Sequence, residues 1–335
     1  MVRVLQSFNE PKGDDNPFLQ LTVSSLPNDV ECVFFSWRTA LLGRYDVFHV
    51  HWVDSLVAGR SRLQTVTKWA ALSLLLLRLR LTRTPVVRTF HNRSVRGGRG
   101  RAVEKLLRGT LDNVTVTVIR MNSDRDGIEH ARSVRIPHGH YRDWYSKYSV
   151  PECIQGRVLN FGLIRDYKGL DQLLPAFAGI SSEAASLHVV GKILDAGLGR
   201  QMSELSVEDP RFTVIAGHAS EATLAKEIGE CEVVVLPYDE LYNSGCLFLA
   251  LSLNRPVVVP EGVFATELQA EMGEGWIYTY PGALDVEKLA DVMKQVSSDQ
   301  RADAPDLSGR EWKLIGSATA DVYRSAVGSR SGTRG

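Results

Sequence analysis

Apolar runs of strand length, each followed by a turn and a stretch of helical periodicity, recur along this whole chain and leave few architectures open to it. In the first half they fall at Val2–Phe8, Val30–Phe35, Val47–Trp52, Val86–Phe90, Val114–Ile119 and Val134–Ile136, with helical periodicity at about 60–81 and 101–110. The second half repeats the pattern at Val158–Phe161, Ser186–Val190, Phe212–Ala216, Val233–Leu236, Val257–Val259 and Trp276–Tyr278, with helical periodicity near 168–179, 221–229, 244–253 and 284–298. Strands that alternate with helices build parallel sheets covered on both faces. A chain of 335 residues is also long for one core. The expectation is an α/β protein of two Rossmann-like, doubly wound domains, 1–150 and 151–309, with a helix over 310–327 and a disordered Gly/Ser/Arg tail at 328–335. The joint is placed in Gly139–Gly156, where Tyr, Trp, Ser, Lys and Pro break the periodicity. Ligands of such sheets sit beyond the carboxyl ends of the strands, so two facing domains are expected to form a cleft.

Several function classes are disfavoured at once. Only Gly13 stands in the first strand–helix turn, so the three-glycine dinucleotide fingerprint is missing there, which argues against an NAD or FAD enzyme. A P-loop GxxxxGK[ST] is missing too, which argues against a P-loop ATPase or kinase. Cys32, Cys153, Cys231 and Cys246 lack the paired spacing of a zinc site or a redox dithiol and read as reduced, cytosolic thiols. Met1 to Leu5 begins directly with a strand, so no signal peptide is expected, and the longest apolar run, Trp69 to Leu77, is too short to span a bilayer. The expected location is the cytoplasm, soluble or peripheral at the inner face of the plasma membrane.

Charge is unevenly shared. Residues 1–150 hold 23 Lys and Arg against 13 Asp and Glu, a balance of +10, which leaves 16 against 26, or −10, for 151–335. Ten of those cations lie between Arg78 and Arg108, opposed only by Glu104, a field that attracts anionic partners. The leucine-rich stretch from Trp69 to Leu81 followed by Arg83, Arg88, Arg93, Arg96, Arg99 and Arg101 combines an apolar helix with cationic flanks. It reads either as the cover of a sheet with a solvated basic face or, over 69–108, as a seat on an anionic membrane. A nucleic-acid role has no aromatic interleaving behind it.

Two segments carry phosphate chemistry. Phe161-Gly-Leu-Ile-Arg-Asp-Tyr-Lys-Gly-Leu170 sets Arg165 and Lys168 between a strand and a helix, with Gly162 and Gly169 in the turn. Backbone N–H groups at a helix start favour anions; Arg adds a planar fork and Lys a point charge. After the strand Val233–Pro237, Tyr238-Asp-Glu-Leu-Tyr-Asn-Ser-Gly245 leads into a second apolar helix. There Asn243, Ser244 and Gly245 can either cap the helix or receive a ligand oxygen. Two histidine-ended strands, Asp46–Trp52 and Pro85–Asn92, add His51, with its neighbour Trp52, and His91. An imidazole in a cleft can orient a hydroxyl or accept a proton, and a strand-end hydrogen bond is the plainer reading. His138, in Ile136-Pro-His-Gly-His-Tyr-Arg142, reads as a cleft residue or as packing at the joint.

The second half resembles the nucleotide-binding domain of GT-B glycosyltransferases, especially the glycosyltransferase group 1 family, nucleotide-sugar enzymes of the bacterial polysaccharide and glycolipid type. The matching pieces are Phe161–Gly169, Leu173-Leu-Pro-Ala-Phe177, Leu187-His-Val-Val-Gly191, the Ser244-Gly245 helix start and Asn254-Arg-Pro-Val-Val258, spread over most of 157–326. The resemblance implies that Arg165 and Lys168 hold the donor diphosphate, that His91 faces the donor sugar, and that the final helix, with Trp312 and Tyr323, crosses back to the first domain. It implies a hexosyltransferase acting on an NDP-sugar and a hydroxyl of a saccharide or lipid-linked saccharide. It favours GDP-mannose, UDP-glucose or UDP-glucuronate as donor, and it implies no cofactor and no metal. Asp124-Arg-Asp126 imitates the DxD of metal-dependent transferases but follows Asn122-Ser123 at an expected helix start, where acids stabilise N–H groups.

The chain also departs from that pattern. Many retaining members carry two glutamates eight positions apart, the later one on the ribose, and here those sites fall on Leu241 and Leu249. Glu240 is one position away and serves only with a shifted loop. Asp14 or Asp15 is the candidate base for an acceptor hydroxyl if the enzyme inverts, with turn and capping roles as the alternative. Acceptor-side candidates are therefore Asp14, Asp15, His51, Trp52 and His138. A nucleotide-sugar epimerase or hydrolase on the same fold, or a catalytically silent partner that binds a nucleotide sugar, are the rival readings.

Overall fold

The computed structural model describes residues 1–13, 16–91, 102–124, 128–165, 168–239 and 241–331. The chain divides into two compact units, Met1–Gly139 with Arg310–Gly335, and His140–Gly309.

In the first unit, β1 (Val2–Gln6), β2 (Val30–Val33), β3 (Val47–Val50), β4 (Val86–Phe90), β5 (Thr115–Arg120) and β6 (Arg132–Arg135) form a parallel sheet in the order β2-β1-β3-β4-β5-β6. Its helices are α1 (Pro17–Ser24), α2 (Trp37–Leu42), α3 (Val53–Val57), α4 (Arg62–Leu81) and α5 (Ala102–Val114). The side-chain period of 2 sends β3 residues to opposite faces. Phe48 and Val50 join Trp69, Leu72, Leu75, Leu76 and Leu79 of α4 and Leu107 and Leu111 of α5 in one core. Val47 faces the other way, and His49, two positions on, shares its side. Asn16 caps α1 through Oδ1 to Phe18 N, Ser36 caps α2 and Ser61 caps α4, each accepting from the N–H three residues on in the latter two cases.

The second unit begins with the short α6 (Arg142–Tyr145) and holds β7 (Arg157–Phe161), α7 (Leu170–Ala178), β8 (Ser186–Gly191), α8 (Ala196–Glu208), β9 (Phe212–Ala216), α9 (Glu221–Glu230), β10 (Val233–Val235), α10 (Gly245–Ser252), β11 (Val257–Pro260), α11 (Val263–Met272), β12 (Ile277–Tyr280) and α12 (Val286–Ser298). Its parallel strands run in the order β12-β11-β10-β7-β8-β9. Val158, Val189, Val235 and Val258 pack with Leu173, Leu174 and Phe177 of α7 and Leu289, Val292 and Val296 of α12. The chain then returns to the first unit as α13 (Trp312–Ser331). Val47 and Val87 of the first sheet pack with Ile315, Val322, Tyr323 and Ala326 of that helix. Gly316 lets it approach closely, because a Cβ there would strike the Ser25 carbonyl.

Both strand orders agree with two doubly wound sheets. The expected boundary at 150 falls inside the second unit, since residues 140–150 are anchored there. Trp144 Nε1 and Tyr148 Oη donate to Glu221 at 2.6 and 2.8 Å, and Tyr141 N donates to Ser252 Oγ at 2.8 Å. Helices α8 and α11 were not legible: α8 carries Gly197 and Gly199 in its first turns and buries only Leu198 and Met202, which blurs its periodicity. Helix α5 runs on to Val114, where a strand was expected to start. Among the described residues no helix is long and apolar enough to cross a membrane.

Candidate active site

In the second sheet β7 and β10 are central neighbours, and the chain leaves them toward opposite edges. The loops that follow them therefore splay from one point, the switch point where doubly wound sheets bind ligands. Close packing joins the two loops. Gly169, at φ +67°, caps α7, and a Cβ on it would run into the Pro237 carbonyl. Only glycine satisfies both the left-handed backbone and that approach. Gly162, at φ +114°, lies against Cys246, whose thiol donates to Phe161 O at 3.3 Å.

Lys168 and Ser244 are connected through Tyr238. The Lys168 ammonium stands 3.9 Å from the centre of the Tyr238 ring, and Tyr238 Oη lies 3.2 Å from Ser244 Oγ. Ser244 also caps α10, accepting from Leu247 N at 3.3 Å. Arg165 is exposed and its carbonyl accepts from Lys168 N at 3.0 Å, which ties the backbone of one cation to that of the other. The result is two helix starts side by side, with two cations and the positive ends of α7 and α10 at the same end of the sheet. This arrangement can neutralise a diphosphate.

The first unit gathers a second cluster. His51 Nδ1 lies 3.0 Å from His91 Nε2, and His51 Nε2 lies 3.2 Å from Gln6 Oε1. Gln6 Nε2 donates to Tyr323 Oη at 3.3 Å; Tyr323 Oη is 2.6 Å from His49 Nδ1, and His49 Nε2 is 2.8 Å from Thr89 Oγ1. Trp52 stacks on His91 at 4.3 Å, and Phe18 meets His91 edge-on at 5.2 Å. Burial lowers His49 to about 3 and His138 to about 4, and drives His51 and His91 well down as well. These rings are neutral at pH 7. Burial pushes the Tyr323 phenol upward, so it keeps its proton as a donor.

The sequence-derived residues thus fall into two groups. Gly162, Arg165, Lys168, Asn243, Ser244 and Gly245 belong to the crevice loops of the second unit, with Asn243 half-buried. His51, Trp52, His91 and His138 belong to the first unit; His138 is buried, packs on Phe18 at 4.9 Å and donates from Nδ1 to Gly139 O. Asp14, Asp15 and Glu240 lie outside the described residues, as do Asp126, Arg93, Arg96, Arg99 and Arg101. Asp124 takes part in an Asx turn, its N–H donating to Asn122 Oδ1 at 3.1 Å. Among the described residues no three His, Cys, Asp or Glu side chains are grouped to hold a metal ion. Leu249, at one of the two retaining-glutamate positions, is buried on α10.

Sequence reasoning missed Tyr238, Gln6, His49 and Tyr323 as members of these clusters. The two-residue spacing of His49, on β3, and His51, just past its end, was the available signal. The pairing of Gln6 with His49 across β1 and β3 is a matter of strand order and had none.

Two Rossmann-like parallel sheets, with paired helix starts at the switch point of the second, are the architecture of GT-B glycosyltransferases. The Anabaena protein HepE, solved in complex with UDP, superposes with a TM-score of 0.65 at 16% identity, covering 96% of this chain and 99% of that one. Sucrose-phosphate synthase from Thermosynechococcus elongatus superposes at 0.62 with 16% identity, covering 98% and 99%. In sequence, the chain is 39% identical over 327 residues to the GDP-mannose:glycolipid 4-beta-D-mannosyltransferase of Xanthomonas campestris pv. campestris, across 98% of this chain and 93% of that protein. It belongs to the glycosyltransferase family of that enzyme. No family model matches the sequence.

Proposed function

We propose that this glycosyltransferase moves mannose from GDP-mannose to a hydroxyl of a membrane glycolipid, with inversion at the anomeric carbon and without a catalytic metal. The observation that carries the reading is the junction of the α7 and α10 starts around Lys168, Tyr238 and Ser244. Donor and acceptor follow the 39%-identical relative, whose activity its name states. Transfer from an α-linked nucleotide sugar into a β-linkage inverts the reacting carbon. The leucines at 241 and 249, where retaining members carry glutamates, fit that stereochemistry.

The acceptor hydroxyl oxygen attacks the anomeric carbon as the bond to the diphosphate oxygen breaks. Arg165, Lys168 and the N–H groups opening α7 and α10 take up the charge that develops on the departing diphosphate, the part a metal ion plays elsewhere. The hydroxyl proton passes to a base. His91, neutral through burial, is our first choice, with Asp14 or Asp15 as the alternative. Asn243 and Glu240 are assigned to the donor, and His51, Trp52 and His138 to the acceptor side. A glycolipid acceptor also calls for contact with a bilayer, and we assign it to the exposed face of α4 with α5, in the segment 69–108, at an anionic membrane surface.

Thermal unfolding with nucleotides, joined to transfer of labelled mannose into lipid, tests this. At about a hundredfold excess over Kd, GDP should raise Tm by about 5 °C. UDP should not, and the shift should vanish in Arg165→Ala combined with Lys168→Ala. Transfer should persist in EDTA. Stabilisation by UDP alone would refute the donor, unchanged binding in the double variant would refute the diphosphate clamp, and strict dependence on magnesium or manganese would refute the metal-free mechanism.

A further inference from the structure

The cluster around His91 contains more order than a catalytic histidine needs, and each link constrains the next. Gln6 is the one member whose two ends differ chemically: its carbonyl oxygen only accepts and its amide nitrogen only donates. Its Nε2 faces Tyr323 Oη at 3.3 Å and Cys32 Sγ at 3.7 Å, and its Oε1 faces His51 Nε2 at 3.2 Å. His51 must therefore carry its proton on Nε2. A neutral His51 then has only a lone pair on Nδ1, so the 3.0 Å contact requires His91 to donate from Nε2. On the other side, Tyr323 accepts from Gln6 and so directs its own proton at His49 Nδ1, 2.6 Å away, which leaves His49 to donate from Nε2 to Thr89 Oγ1 at 2.8 Å.

Every donor thus points the same way along the chain His91, His51, Gln6, Tyr323, His49, Thr89. Turning the Gln6 amide over reverses all the protons together and puts the His91 proton on Nδ1. We infer that Gln6 and Tyr323 are positioning residues which hold His91 in the Nε2–H tautomer, so that Nδ1 is its proton-accepting nitrogen. This inference deepens the reading of His91 as the group that takes the acceptor proton and rests on it for its functional meaning. The geometry of the network stands apart from that reading. Tyr323 is fully buried on α13, so the last helix of the chain sets the chemistry of a residue at the end of β4.

The test is tautomer assignment on the full chain labelled with ¹⁵N-histidine, using multiple-bond ¹H–¹⁵N correlation, in wild type, Tyr323→Phe and Gln6→Leu. The expected wild-type result is His49, His51 and His91 all protonated on Nε2. In Tyr323→Phe the amide loses the hydroxyl that orients it, so His91 should show both tautomers. In Gln6→Leu, His51 loses its acceptor and the same mixture should appear. Backbone amide spectra matching wild type show that each variant is folded. Under the proposed function, kcat should fall by about twofold in Tyr323→Phe, as the competent tautomer drops to about half of the molecules, with donor KM unchanged. A wild-type His91 protonated on Nδ1, or a His91 tautomer unmoved in both variants, would overturn the inference. Tautomers that shift while kcat holds would support the positioning network and remove His91 from the proton transfer.

Discussion

Tyr238 bears on both donor-site helix starts through one side chain, its ring under the Lys168 ammonium and its hydroxyl at Ser244 Oγ. Replacing it separates two effects. Tyr238→Phe keeps the ring and loses the hydroxyl contact; Tyr238→Leu loses both. A cation over an aromatic face contributes about 0.5–2 kcal/mol, so Leu should weaken GDP binding by about twofold to thirtyfold, and Phe by less. Titration calorimetry at one fixed salt concentration measures it, and wild-type affinity in Tyr238→Leu would refute the role. The place of Arg165 and Lys168 in a glycine-flanked strand–helix turn was legible in the sequence, and their hold on a diphosphate is the proposal. The part played by Tyr238 was not legible, because its ring meets Lys168 only after β7 and β10 become neighbours.

At the scale of elements, α4 carries apolar residues on two sides. Trp69, Leu72, Leu76 and Leu79 face the core at helical spacing. Leu63, Val66, Ala70, Leu74, Leu77 and Leu81 repeat that spacing on the exposed side, Leu63 at 77% and Leu81 at 76% exposure. The neighbouring α5 adds exposed Val103 and Leu106, and Arg62, Arg80, Arg83 and Lys105 are exposed nearby. The sequence yielded the helix and its cations, but a run of leucines does not say which of them are buried. An anionic bilayer satisfies both the leucines and the arginines. The wild-type protein should sediment with anionic vesicles at low salt and be released as salt rises. Leu74→Glu with Leu77→Glu should stay in the supernatant, with stability within about 0.5 kcal/mol of wild type because neither residue is buried. A wild-type protein that ignores such vesicles, or a double variant that still binds them, would refute the membrane face.

Across the whole molecule, local patterns made the two wound sheets and their joint plain, while the return of the final helix to the first unit came from the resemblance alone. Period-2 and period-3.6 patterns are local, whereas the contact of Gln6 with Tyr323 spans 317 positions and exists only because α13 returns to the first unit. The two units also differ in their response to acid. His49, His51, His91 and His138 all lie in the first unit, and burial holds each below its ordinary value, His49 at about 3 and His138 at about 4. A depressed histidine binds fewer protons in the folded than in the unfolded state. Its contribution to stability is therefore complete above pH 6.5 and is lost as pH falls from there toward the folded value, by about 1.4 kcal/mol per histidine per pH unit at most. The second unit has His188 against Glu227 at 2.7 Å, and that carboxylate, lowered chiefly by the same hydrogen bond, loses its stabilisation only below the usual carboxylate range. Calorimetry between pH 7.5 and 5 should show the transition of the first unit moving down steeply while that of the second moves little. Replacing His49 with Gln should flatten the slope of the first. Parallel movement of both transitions, or none in either, would show that the histidine cluster is not what acid attacks first.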